Sequence, residues 1–342
     1  MATSTMKDVS KIAGVSTATV SHVINGSRFV SEPIKEKVLQ AMKQLSYKPN
    51  SIARSLRSQK TNTVGVLIPS IKSFFYNSVV DGIEETLRNS GYHIILSNSH
   101  DNINHEKEAI ENYKSLQVDG LIMCPTVGEH SYLNQELNLF SPVVFIDRKP
   151  QGYNGDCVVI DHVKSTYDVI SLFIKRGHTR IGMVTGFKEI TTTKDRIKGY
   201  KLAFDDNNLS FDEKLLSSGS FDSKAGYAET KALYENQNIT ALFFADDPMA
   251  IGALLYFKEN NIIIPEKISI VSCNDYEWTK ISKPALTIVK KPSYDLGKVA
   301  AEILLERIEE KSNAILNIKY CEIRLQTEII ERESVKDLNE SC

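Results

Sequence analysis

The sequence predicts two architectures in one chain: an all-α helix-turn-helix head, then an α/β body of two doubly wound parallel-sheet subdomains. Three observations carry this. Within residues 8–25 two short amphipathic patterns are joined by a glycine. From Thr63 onward, short apolar runs alternate with amphipathic stretches. Charge is split: residues 1–60 hold ten Lys and Arg against three Asp and Glu, while the remainder holds 31 against 40.

At 342 residues the chain exceeds what one core sustains, so two or more domains are expected. Its 42% hydrophobic and 25% charged content is that of a soluble globular protein. No run of about 18 apolar residues predicts a membrane span. The opening Met-Ala-Thr-Ser-Thr-Met-Lys-Asp lacks the basic-then-apolar layout of a secretory signal, so a cytoplasmic location is expected. The five cysteines are odd in number and never spaced as CxxC, which argues against a disulfide framework or a zinc site. No cofactor and no metal are expected.

In the head, Val9, Ile12 and Ala13 mark one face of a first helix, and Gly14 permits the tight turn into a second. Wound at about 100° per residue, residues 17–25 place Val20, Val23 and Ile24 on one side. Thr17, Ala18, Ser21, His22 and Asn25 fall on the other, a polar side suited to touching a partner. A third helix follows, with Ser31 placed to cap it, Pro33 in its first turn, and Ile34, Val38, Met42 and Leu45 at helical spacing. Tyr47-Lys48-Pro49-Asn50 breaks it, and Ser51 to Arg57 offers one more short segment with Ile52, Ala53 and Leu56 on one face. About seven residues are too few for a helix alone in water, so this segment needs partners to form. A basic head on an acidic body suits phosphate neutralisation by the head.

In the body, strands are expected at Val64–Pro69, His93–Ser97, Gly120–Met123, Val143–Ile146, Val158–Ile160, Ile181–Thr185, Ala241–Ala245 and Ser269–Cys273. Helices are expected near residues 76–89, 104–116, 164–176, 194–207, 224–234, 248–260 and 294–309. This alternation means βαβ units, parallel sheets covered on both faces, and a ligand cleft at the carboxyl ends of the strands. The enzyme signatures GxSxG, GxxxxGK[ST], GxGxxG and HExxH are missing, and His105-Glu106 has no second histidine at helical spacing. No catalytic residue is proposed, and the chain is read as no enzyme.

The run Lys7-Asp8-Val9-Ser10-Lys11-Ile12-Ala13-Gly14-Val15-Ser16, with Thr19-Val20-Ser21, Val23-Ile24-Asn25, Tyr47, Pro49-Asn50, Ala53-Arg54 and Leu56, resembles the DNA-binding head of LacI/GalR-type bacterial repressors. The resemblance continues through Val118-Asp119-Gly120, Arg176-Gly177-His178, Asp247-Pro248-Met249-Ala250, Ile264-Pro265 and Pro284-Ala285-Leu286-Thr287, and covers nearly the whole chain. It implies a body of periplasmic-binding-protein type and a homodimer on a pseudo-palindromic operator, one head per half-site. The implied layout is a DNA-binding domain at 1–48, a hinge helix and linker at 49–61, an effector-binding and dimerisation domain at 62–332, and a tail at 333–342. The N-subdomain would take about 62–161 and 291–320, the C-subdomain about 162–290 and 321–332.

By the same resemblance Thr17, Ala18 and His22 occupy base-reading positions in the major groove: methyls suit thymine, and an imidazole suits a purine edge. Ser16, Thr19, Ser21 and Asn25 are matched to phosphate oxygens, and Arg28 to base or backbone. Ser51 to Arg57 resembles the family's hinge helix, with Leu56 as the wedge between central base pairs and Arg54 and Arg57 drawn to the narrow minor groove.

Comparison with the family aligns Phe75, Tyr76, Asp147, Arg148, Thr192, Arg196, Phe221, Asp247, Asn274 and Asp275 with an effector pocket. Carboxylates and Arg forks there suit vicinal hydroxyls, and aromatic faces suit one side of a ring. The head is similar to purine repressors, but Ile190 stands where a purine-contacting arginine is expected and Asn274 where aspartate is usual. The effector is therefore read as a sugar, a pentose or hexose, with Asp275 a candidate to replace the lost carboxylate. Alternatives are a purine-corepressed regulator, control by a phosphoprotein corepressor as in catabolite-control relatives, a periplasmic-type sugar-binding protein, and a small-sugar enzyme. The basic head and the missing signal sequence speak against the periplasmic reading. The stretch after Arg332 has no leucine heptads, which favours a dimer over a tetramer.

Overall fold

Thr5 opens the first helix by a reciprocal cap: its hydroxyl accepts the Asp8 N–H at 3.3 Å while the Asp8 carboxylate accepts the Thr5 N–H at 2.8 Å. Helix α1 (Met6–Ala13) ends at Gly14, which adopts φ 65° and returns its N–H to Ser10. Helix α2 (Thr17–Asn25) starts under Ser16, whose hydroxyl accepts the Thr19 N–H at 3.0 Å. Helix α3 (Glu32–Gln44) starts at Ser31 with Pro33 in its first turn; the Ser31 carbonyl accepts from Ile34 and Lys35, but its hydroxyl makes no cap bond. The computed structural model describes residues 4–25, 28–47, 60–136, 142–150, 154–312 and 319–339. The expected hinge helix, with Arg54, Leu56 and Arg57, lies outside the described residues.

The head closes on Val9, Ala13, Val20, Val38 and Ala41, with Met6, Val15, Val23, Ile24, Met42, Leu45 and Tyr47 packed around them. Val9 and Ala13, one turn apart, define the buried face of α1. That leaves Ile12 46% exposed, against the expectation that it joins the core, and Ile34 is similarly left at 36%. Residues 1–61 and 62–342 form separate compact units.

In the second unit, the first lobe runs β1 (Thr63–Ile68), α4 (Phe74–Asn89), β2 (His93–Asn98), α5 (Ile103–Ser115), β3 (Gly120–Met123), α6 (Leu133–Glu136), β4 (Val143–Ile146) and β5 (Asp156–Ile160). The second lobe runs α7 (His162–Lys175), β6 (Ile181–Thr185), α8 (Thr191–Asp206), β7 (Leu216–Ser218), α9 (Ser223–Gln237), β8 (Ala241–Phe244), α10 (Asp247–Glu259), β9 (Ser269–Cys273), α11 (Glu277–Ile281) and β10 (Thr287–Lys290). A short 3₁₀ turn at Glu213–Leu215 precedes β7. The chain ends with α12 (Ser293–Ser312), β11 (Glu322–Leu325) and β12 (Glu328–Ile330).

The two sheets have one plan. Their orders are β11-β5-β4-β3-β1-β2 and β12-β10-β9-β8-β6-β7. Every pairing is parallel except β12 against β10. In the first sheet Val64, Val66, Ile68, Ile122 and Val144 pack under α4 and α12, while Leu67, Leu121, Met123 and Phe145 turn toward α5. In the second, Val184, Leu242, Phe244 and Ile270 pack under α9 and α10; Met183, Phe243 and Val271 turn toward α7 and α8. Alternate residues of each strand thus enter different cores, which is why both faces read as apolar.

The chain passes between the sheets three times: after β5, after β10, and between β11 and β12. The third passage differs from the boundary expected at residues 320 and 321. Strand β11 stays with the first sheet, because Cys321, Ile323 and Leu325 pack into the core under α12. Residues 333–339 are not a free tail. Ser334 is buried and bridges Thr287 and Ile270, and Leu338 donates to the Arg176 carbonyl at 2.8 Å. Arg176-Gly177-His178 forms the dock: Arg176 pairs with Asp337 at 3.2 Å, and a His178 ring nitrogen stands 3.1 Å from the Lys336 carbonyl.

Helices α4 and α12 cross backbone to backbone. A Cβ on Gly297 would stand 1.9 Å from the Val79 carbonyl oxygen, and one on Gly82 2.2 Å from that of Tyr294. Gly297→Val should therefore force the helices apart and destabilise the body by about 1–3 kcal/mol. A lowered urea midpoint for the body, with the head's transition unmoved, is the expected outcome; an unchanged body midpoint would contradict the close crossing.

Candidate functional site

On the head, the side of α2 away from Val20 carries the polar residues. Thr17 and Ala18 are exposed, and Thr19, Ser21 and His22 are half-buried. The hydroxyls of Ser16 and Thr19 lie 2.9 Å apart and hold the start of the helix, so each has a structural task besides any contact with phosphate. Arg28 is exposed beside Phe29, which at 96% is the most exposed large apolar side chain among the described residues. Phe29 is not among the contact residues expected from the sequence.

In the body, the carboxyl ends of both sheets face a cleft of about 350 Å³. It is lined from the first lobe by Pro69, Ser70, Lys72, Ser73, Phe75, Tyr76, Asp101, Asp147 and Arg148, and from the second by Thr192, Arg196, Phe221, Asp222, Ser223, Ala245, Asp246 and Pro248. Lys291, where the chain returns to the first lobe, completes it. These residues sit just past β1, β2, β4, β6, β7, β8 and β10, where parallel strands release the chain.

Seven residues anticipated from sequence meet here: Phe75, Tyr76, Asp147, Arg148, Thr192, Arg196 and Phe221. Asp147 is the hub. It adopts φ 62°, a left-handed conformation that a non-glycine residue holds only under tertiary constraint. The Tyr76 hydroxyl donates to it at 2.8 Å, Arg148 Nε stands 3.9 Å away, and His162 Nε2 lies 3.8 Å off. Burial works to raise the Asp147 carboxyl, but His162, Arg148 and the Tyr76 hydroxyl hold it well below the usual carboxylate range. Burial and the Asp147 charge push the Tyr76 phenol up, so it stays protonated and donates. Arg148 is itself committed, forking onto Asp101 and donating to the Pro125 carbonyl at 3.3 Å.

The second lobe offers a different balance. Arg196 donates to the Thr192 hydroxyl one turn back at 3.3 Å. Phe221 reaches the cleft because Gly186 leaves it room; a Cβ there would lie 1.8 Å from its ring. Asp247 and Asn274 do not line the cleft but sit directly behind Asp246 and Pro248, buried, with Asn274 Nδ2 donating to Asp247 at 2.6 Å. Asn274 adopts φ 61°, the counterpart of Asp147 at the end of β9. Burial, then Asp246, raises the Asp247 carboxyl to about 7. Asp275 does not replace the missing aspartate: it is held by Arg332, with Lys280 3.8 Å away. Ile190 is also outside the cleft, buried in a separate small recess with Thr126 and His130.

Asp101, Asp222, Asp246 and Lys291 were not anticipated. Asp222 and Asp246 are the N-cap residues of α9 and α10, a signal available in the sequence. Lys291 follows a strand that the sequence reading did not place. Among the described residues no group of three or more His, Cys, Asp or Glu is positioned to hold a metal, and no helix is long and apolar enough to cross a membrane.

A helix-turn-helix unit in one chain with a two-lobed body, cleft at its strand ends, defines a DNA-binding regulator controlled by a small molecule. Residues 5–50 match the model of bacterial regulatory proteins of the lacI family, and residues 170–335 match the periplasmic binding protein-like domain. The chain is 34% identical over 337 residues to the HTH-type transcriptional repressor PurR of Vibrio atlanticus (strain LGP32), covering 98% of this chain and 99% of that one. The solved lac repressor dimer bound to operator and the anti-inducer ONPF shares the fold, with a TM-score of 0.85 at 24% identity over 98% of this chain and 100% of that one. The CelR–cellobiose complex matches with a TM-score of 0.72 at 27% identity, over 97% and 99% of the two chains. The chain belongs to the lacI family of bacterial transcriptional regulators. It is a DNA-binding regulator under small-molecule control, not an enzyme.

The raised Asp247 carboxyl has a measurable consequence. Above its ordinary 3.8 the unfolded chain loses this proton, while the folded chain keeps it to about 7. The stabilisation is therefore full below about pH 4 and is lost as the pH rises through the folded value. The stability of the wild type relative to Asp247→Asn should fall across that window in urea unfolding at stepped pH. A pH-independent difference would show that Asp247 is not held protonated.

Proposed function

We propose that the protein is a homodimeric repressor whose effector is a sugar. The observation that carries the sugar reading is the pairing, in one cleft, of hydrogen-bonding charged groups (Asp147, Arg148 and Arg196) with the rings of Phe75 and Phe221. Such a set suits a polyol ring, with hydroxyls at the edge and an apolar face. The likeness to a regulator solved with cellobiose supports it. Ile190, absent from the cleft, leaves it without the arginine expected for a purine. Ile251 and Leu255, one turn apart and exposed on α10, support self-association of the body.

In this reading Thr17, Ala18 and His22 read bases, Ser16, Thr19, Ser21 and Asn25 address phosphates, Arg28 reaches base or backbone, and Leu56, flanked by Arg54 and Arg57, enters the minor groove. Sugar in the cleft changes the closure of the lobes and with it the separation of the two hinge segments of a dimer. Segments held apart cannot pair, and operator affinity falls.

Two measurements test this. In a thermal-shift screen, pentoses or hexoses should raise the melting temperature of the body; a rise with nucleobases alone would replace the sugar reading with a purine one. For the head, His22→Ala should cost about 1–3 kcal/mol of operator affinity and relax the preference at one base pair, with non-specific binding unchanged. Fluorescence anisotropy on a selected operator reads this, and undiminished specific affinity would remove His22 from the base-reading set.

A further inference from the structure

We propose that the effector carries a negative charge, a carboxylate or a phosphate on the sugar, bound between Arg196 and Lys291. The proposal deepens the sugar reading of the same cleft and rests on it. Arg196 is 5% exposed and Lys291 9%, yet neither makes an ion pair among the described residues. Among the described residues Arg196 donates to the Thr192 hydroxyl at 3.3 Å. Lys291 donates to the Ala245 carbonyl at 3.4 Å, with its ammonium 5.2 Å above the Phe75 ring. The other guanidiniums withdrawn from water are all matched: Arg148 to Asp101, Arg307 to Asp156, and Arg332 to Asp275.

A buried cation without a counter-charge is costly, and two that line one cavity ask for an anion there. Three of the four carboxylates that line the cleft already have partners, Asp101 on Arg148 among them. Asp147 belongs to Tyr76 and Arg148, and Asp222 accepts from the Ser220 hydroxyl and the Ala225 N–H. Asp246 makes no side-chain cap bond and is free to take a sugar hydroxyl. The two positive charges act on the same neighbours: after burial, Arg196 and then Lys291 help bring His162 down to about 3, and both oppose the rise of the Cys273 thiol. Both line the same cleft. The Arg fork and the Lys point charge together suit either a carboxylate or a phosphate.

The test uses the full-length protein. Thermal shift and calorimetry would compare glucose and ribose with gluconate and glucuronate, and with glucose 6-phosphate and ribose 5-phosphate, alongside inorganic phosphate alone. A charged sugar should stabilise the body where its neutral counterpart does not, and the better of the two charged classes identifies the group. Lys291→Met keeps the apolar stem and removes the charge; it should weaken that binding about tenfold to a hundredfold. A neutral sugar bound as tightly as any charged one, with Lys291→Met without effect, would overturn the proposal and leave the sugar reading standing. Inorganic phosphate bound as tightly as a sugar phosphate would keep the anion site and remove the sugar. A response to nucleobases alone would remove both. A further measurement does not depend on the sugar chosen: without effector, Lys291→Met should match or exceed the wild type in melting temperature at low salt. A fall of several degrees would mean that Lys291 is already compensated within the protein, and the proposal would fail.

Discussion

A carboxylate taken out of water either gathers donors or gives up its charge, and Asp147 gathers donors. Satisfying it fixes the rotamer of Tyr76 at the start of α4 and brings Arg148 beside it. Arg148 then fixes Asp101 after β2 and the Pro125 carbonyl after β3. Three strand ends and a helix start are thereby set around one oxygen pair. The left-handed turn at Asp147 is the strain that this arrangement holds in place. The second lobe meets the same requirement by the other route. At the equivalent strand end Asn274 is neutral, and burial raises the nearby Asp247 carboxyl to about 7 against the opposing charge of Lys291, while Arg196 and Lys291 make no ion pair among the described residues.

The head is organised by a different constraint, the scarcity of core. Five small or medium side chains make its buried centre. A domain of this size buries too little apolar surface to be generous with unpaired backbone groups, so its helix starts matter in proportion. The Thr5–Asp8 box opens α1, and the Ser16–Thr19 pair opens α2 with side chains also proposed for phosphate contact. Stability and recognition therefore draw on the same few residues.

Much of this was legible from residues alone, for reasons that differ by element. The buried strands of both sheets are short apolar runs bounded by turns, and their positions follow from the β-to-α alternation. Strand β11 was missed although Glu322-Ile323-Arg324-Leu325 alternates in strict register; two charges in four residues outweigh the pattern until Ile323 and Leu325 find the core under α12. Strands β7 and β12 are three residues each, below the length at which period two is distinguishable. In the cleft, aromatic and charged residues at strand ends were readable by analogy. The roles of Asp247, Asn274 and Asp275 were not, because adjacent positions at one strand end diverge by a single turn: one goes into the lobe behind Asp246, the next outward to Arg332.

The three passages of the chain between the sheets bear on how the protein is made. Strand β5 of the first sheet pairs with β11, so Cys157 lies in register with Glu322. A ribosome delivering this chain from the N-terminus releases β1 to β5 long before their last partner. Until then β5 is an open edge, and α12, which roofs the first core, is also still to come. The second lobe is likewise left without β12, the strand that closes its sheet beyond β10. Neither sheet is complete until β11 and β12 arrive, so β5 and β10 stay open edges while the residues between are made.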